Sequence, residues 1–139
     1  MTQQERVPRG DLVLRTLSMP ADTNANGDIF GGWIMSQMDI GGAILANEIA
    51  RGRVVTVAVN AITFLKPVAV GDVVCCYAHC IRTGRSSITV NIEVWVKKVS
   101  SESIGQRYCV TEAIFTYVAV DDAGASRSLP EGKTHLSFD

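Results

Sequence analysis

Residues 31–50, GGWIMSQMDIGGAILANEIA, limit the folds open to this chain more than any other segment. Their spacing predicts a helix about 30 Å long. Trp33, Ile34, Met35, Met38, Ile40, Ile44, Leu45 and Ile49 surround that helix on most sides. A helix apolar all round is buried, not laid on a surface. Glycine inside a helix costs about 1 kcal/mol relative to alanine. Its acceptance at Gly41 and Gly42 predicts the close approach of another backbone.

The rest of the chain supplies a sheet. Residues 11–19 read as a first strand, and 20–30, PADTNANGDIF, as a loop dense in turn formers. After the helix, residues 54–64 are rich in Val, Thr and Ile and stop at Lys66-Pro67. A third strand spans about 72–82, and Thr83-Gly84-Arg85 turns tightly into a fourth. There Ile88, Val90, Ile92, Val94 and Val96 face one way, and Thr89, Asn91, Glu93, Trp95 and Lys97 the other. A last strand covers about 107–120. One helix can bury itself and five strands only if the sheet wraps it, an α+β arrangement. Residues 1–139 read as one domain with a core of about 11–120 and polar tails at 1–10 and 122–139. At this size roughly 68–70% of the unfolded surface is buried, enough to fold without staples.

Charged residues make up 19% and hydrophobic residues 47%, whereas about 25% charged is usual. Part of the apolar surface is therefore expected to be covered by other subunits. The net charge of −1 argues against nucleic acid, which needs a basic field; a small anionic ligand needs only a few local charges. The start, MTQQERVPRGD, lacks the apolar core of a signal peptide, and no apolar run approaches the ~20 residues that span a bilayer. Cys75, Cys76, Cys80 and Cys109 form no C-x-x-C pair, and neighbours on a strand face opposite sides. Even with His79 nearby, they read as free buried thiols, with no metal, in a reducing cytoplasm.

Asp39 is the most informative residue. At helical spacing its neighbours are Met35, Ser36, Gly42 and Ala43, and no Lys or Arg lies within four residues. A buried carboxylate without a partner is costly and raises its own pKa. It is either a structural acid bonded to a turn, or it lines a polar cavity as base or nucleophile. Asn24 and Asn26, beside Asp22 and Asp28, suit ordinary turn chemistry. Gly31-Gly32 leaves bare amides at the helix start, a site for an anion or a developing oxyanion. There is no G-x-S-x-G elbow. The two histidines, His79 in a strand and His135 in the tail, are not placed before or within the helix.

The run DTNANGDIFGGWIMSQMDIGGAILANEIA, with VVTVAVNAITFLKPVAVGDVV and TGRSSITVNIEVWVKK, closely resembles the bacterial YciA-type acyl-CoA thioesterases of the hotdog superfamily. The resemblance covers about residues 11–120. It implies a hotdog fold, a curved antiparallel sheet around a long central helix. It also implies a homo-oligomer, at least a dimer and usually a trimer of dimers, with active sites at the dimer interface. The residues matching the family motif are Asn24 and Asp39, acting together from opposing subunits, with an amide near Gly32 donating to the thioester carbonyl. The turn Gly84-Arg85-Ser86-Ser87 resembles the part that meets the pantetheine arm and nucleotide, with Lys97 and Lys98 as further basic candidates. Many relatives read G-N-V-H-G-G where this chain has GDIFGG at 27–32; that suits the YciA branch and leaves the role of Asp28 open. Asn60 stands where many relatives carry an acid.

The expected activity is hydrolysis of acyl-CoA, with Asp39 as general base or nucleophile and no metal or redox cofactor. Two rivals share the fold. A dehydratase wants a histidine paired with an acid. A non-catalytic acyl-CoA sensor of the transcriptional type carries a DNA-binding segment.

Overall fold

The computed structural model describes residues 6–99 and 104–131; His135 lies outside them. Five strands, β1 (Asp11–Leu17), β2 (Val54–Phe64), β3 (Val73–Thr83), β4 (Ser87–Lys97) and β5 (Arg107–Ala119), form one sheet in the order β1-β3-β4-β5-β2. Every pair is antiparallel. The helix α1 (Gly31–Ala50) contacts all five strands. This is the wrapped-helix, hotdog arrangement that the resemblance implies. No helix among the described residues is long and apolar enough to cross a membrane.

The alternation in β4 sets the layers. Ile88, Val90, Ile92, Val94 and Val96 are fully buried against α1. The opposite face is buried as well, which the sequence reading did not foresee: Thr89, Glu93 and Trp95 are nearly inaccessible. Over Glu93 and Trp95 the segment from Arg6 to Arg9, expected to be a tail, lies against the sheet. Arg9 Nε donates to Glu93 Oε2 at 2.6 Å, and Arg6 Nη2 reaches Glu112 Oε2 at 3.1 Å. The Arg6 guanidinium also lies 6.0 Å from the Trp95 ring centre. At the other end of the chain, Arg127 donates to the Ala50 and Val120 carbonyls, and Leu129 N–H to the Arg85 carbonyl. The described parts of both expected tails are thus tied to the body at Arg6, Arg9, Arg127 and Leu129. Cys75, Cys76 and Cys109 are buried and Cys80 is half-buried.

The helix is not covered all round. Gly32, Ser36, Ile40 and Ile44, spaced four apart, form an exposed ridge; Ile40 and Ile44 are 48% and 41% exposed. Beside it β2 is an edge strand with Val57 55% exposed and Phe64 50%. Among the described residues of one chain nothing covers this apolar face. The glycine pair also differs from expectation. A Cβ on Gly41 would meet Val13 Cγ2 at 2.9 Å, and one on Gly42 would meet Ile92 Cδ1 at 2.5 Å and the Tyr117 hydroxyl. What approaches α1 so closely is side chains of its own sheet, not another backbone.

Candidate active site

Asp39 is half-buried in the middle of α1 and has partners that its own helix cannot supply. Thr56 Oγ1 donates to Asp39 Oδ1 at 2.6 Å. The Tyr117 hydroxyl lies 3.0 Å from the Asp39 carbonyl oxygen and 3.2 Å from Oδ1. Thr56 and Tyr117 stand directly opposite each other in the β2·β5 register, and a bulge follows at Thr56/Ala58. Bulges re-aim side chains at such places. The helix offers Asp39 no charged partner, as its sequence reads, and two hydroxyls from the sheet hold it instead. Both donors converge on Oδ1, and among the described residues Oδ2 has no protein partner. The carboxylate is fixed in rotation with one oxygen left open. Burial, the charge of Asp39 and the bond to it all push the Tyr117 phenol upward, so Tyr117 stays a neutral donor.

The start of α1 is open. Phe30 is the N-cap without a side-chain cap bond, and the helical ladder begins at Ile34 N–H donating to the Phe30 carbonyl. The amides of Gly31, Gly32 and Trp33 precede it and have no intrahelical acceptor. Gly32 is exposed, with open space where a Cβ would stand. Beside these amides lies a largely apolar cavity of about 350 Å³, lined by Ile29, Gly31, Ile34, Phe64, Leu65 and Val68 among others. It can take a hydrocarbon chain whose polar end sits at the amides.

Asn24 does the turn chemistry its sequence context suggests. Its Oδ1 accepts the amides of Asn26 and Asp28 at 2.9 and 3.1 Å. That orients its NH₂ group, which remains available as a donor. Asn24 and Asp39 share no hydrogen bond within the described residues of one chain. Asp28 is exposed, and its backbone bridges to Ala69. Asn60 is exposed beside a second β2 bulge, next to Ala61, whose φ is 53°.

The basic candidates do not gather. Ser87 pairs with Val118 and Ile88 with Tyr117, so the Arg85-Ser86-Ser87 turn is at the Asp39 end of the sheet. Arg85 is exposed, and Ser86 and Ser87 are half-buried. Lys97 is at the other end of β4, about 33 Å along the strand from Ser87. Lys98 Nζ is bound to both oxygens of Asp72, at 2.8 and 3.0 Å. One nucleotide on one chain cannot meet Arg85 and this lysine pair together. His79 is on the outer face of the sheet, paired with Asn91 in register. Burial, and then the charge of Arg9, lower its pKa.

Sequence reading missed Thr56 and Tyr117. The available signal was Gly42, three residues after Asp39: a glycine there leaves room for a bulky group, and Tyr117 fills it.

Known proteins are similar to this chain in sequence and in fold. The thioesterase superfamily profile matches residues 26–102. The acyl-CoA thioester hydrolase YciA of Escherichia coli is 73% identical over 130 residues, 94% of this chain and 98% of that protein. The hexameric thioesterase of Yersinia pestis is 81% identical with a TM-score of 0.87, covering 90% of this chain and 100% of that one. A hexameric broad-specificity acyl-coenzyme A thioesterase is 66% identical with a TM-score of 0.90, covering 96% and 91%.

Proposed function

The chain belongs to the thioesterase superfamily, among the YciA-type acyl-CoA thioester hydrolases, and from that premise we propose how it hydrolyses acyl-CoA to a carboxylic acid and coenzyme A. The observation that carries the mechanism is the Asp39 carboxylate, held through Oδ1 by Thr56 and open at Oδ2. Oδ2 takes a proton from water as the water oxygen bonds to the thioester carbon. The carbonyl oxygen gains the charge and is met by the amides at the start of α1, Gly32 foremost. The tetrahedral centre then expels the sulfur, which receives the proton held by Asp39. The reaction uses water and protein groups alone, with no metal and no redox cofactor.

The enzyme is a homo-oligomer. We propose a trimer of dimers, in which β2 and the Ile40–Ile44 ridge meet a second copy. Within each dimer Asn24 of one subunit orients the water or the carbonyl beside Asp39 of the other. The acyl chain enters the cavity beside Ile34 and Phe64, and the nucleotide lies toward Arg85, Ser86 and Ser87. The buried thiols of Cys75 and Cys76 suit work in a reducing cytoplasm.

The direct test is Asp39→Asn. Turnover of a panel of acyl-CoAs, followed by thiol release, should fall about a hundredfold or more, the usual range for a positioned base. Wild-type turnover would remove Asp39 from the chemistry. A single turnover in heavy-oxygen water should leave Asp39 unlabelled. Label in the aspartate would mean that the carboxylate attacks directly and water opens an anhydride.

A further inference from the structure

We infer that Tyr117 is a positioning residue for this hydrolysis, holding the Asp39 carboxylate through a hydroxyl seated in the space that Gly42 leaves empty. The inference rests on the reading of Asp39 as the base. Three observations carry it. Tyr117 is fully buried, yet its hydroxyl ends at Asp39, within 3.0 Å of the carbonyl oxygen and 3.2 Å of Oδ1. A Cβ on Gly42 would collide with that hydroxyl and would stand 3.1 Å from Tyr117 Cζ. Thr56, opposite Tyr117 in register, donates to the same Oδ1.

The geometry defines a division of labour. A phenol has one proton, shared here between a backbone carbonyl and a carboxylate oxygen. It therefore ties the side chain of Asp39 to its own turn of helix. Thr56 binds Oδ1 from β2. Two donors on one oxygen, from two strands, leave the carboxylate a single orientation, with Oδ2 toward the reacting water. Loss of the Tyr117 hydroxyl frees the carboxylate to rotate about its last bond. The substrate is not touched by Tyr117, so its loss belongs in kcat and not in KM. The helix propensity given up at Gly42 follows from the same requirement, because any larger residue pushes the hydroxyl away.

The test is a double-mutant cycle on the full-length oligomer, reading kcat and KM for one acyl-CoA in wild type, Tyr117→Phe, Asp39→Asn and the double variant. Tyr117→Phe keeps the ring and its packing. It should lower kcat about ten- to a hundredfold, the worth of a hydrogen bond to a charged group, and leave KM within about twofold. In the Asp39→Asn background the same change should have almost no further effect, because it acts through the carboxylate. Wild-type kcat in Tyr117→Phe, with Asp39→Asn inactive, overturns the positioning role and leaves the base assignment intact. An equal loss in both backgrounds also overturns it, since Tyr117 would then act through the fold. If Asp39→Asn itself keeps full turnover, the base assignment falls and this inference falls with it.

Discussion

Glu93 has no exposed surface, and its charge is kept by Arg6 and Arg9 from the N-terminal segment and by Trp95 two residues along β4. Burial pushes its carboxyl upward, but the Trp95 indole N–H and then the side chain and backbone of Arg9 together hold it below the ordinary value of 4.5. A carboxylate with a depressed folded pKa contributes stability above its unfolded pKa and loses it as pH falls through the folded one. Glu93→Gln should therefore be less stable than wild type at neutral pH, and the two should converge in denaturant midpoint as pH falls below about 4.5. A gap unchanged from pH 7 to pH 3 would show that the charge contributes nothing. The contrast with Asp39 is instructive. Glu93 has cationic partners at its oxygens. Asp39 has only hydroxyls, both on one oxygen, an arrangement that fixes a base without neutralising it.

At the scale of elements, α1 and β2 have the bounds their sequence predicts, because apolar periodicity and breakers act locally. Strand β1 ends at Leu17, two residues short of the expected Met19. Ser18 turns away to bond Ala69 and Asp72, more than 50 residues along the chain. The site divides in the same way. Asp39 stands out by its own helical neighbours, whereas its donors come from 17 and 78 residues away. No local pattern carries that information. Gly42 is where element and site meet. Alanine would add about 1 kcal/mol of helix propensity, but its methyl would overpack against Ile92 and Tyr117, which costs about 1–3 kcal/mol. Gly42→Ala should lower the denaturant midpoint at fixed protomer concentration. A raised midpoint would mean that the sheet yields easily and that the glycine is not required by packing.

At the scale of the whole molecule, the open apolar face of the chain and the proposed shared site point to the same second copy. The Ile40–Ile44 ridge and the exposed apolar residues of β2 present a surface that a monomer would not keep in water. Among the described residues of one chain Asn24 and Asp39 share no hydrogen bond, and the proposed two-fold pair would bring Asn24 of one subunit to Asp39 of the other. In a two-fold pair each surface meets its own copy, and two identical composite sites result. Asn24→Ala and Asp39→Ala subunits each spoil a different half of the site. The most direct test is to co-refold the two inactive variants in equal amounts, verify mixed dimers by cross-linking across the pair, and measure acyl-CoA thiol release. Half of the pairs are then mixed and each contains one intact site, so activity should return to about a quarter of wild type. Verified mixed dimers no more active than either parent would contradict a site shared between subunits.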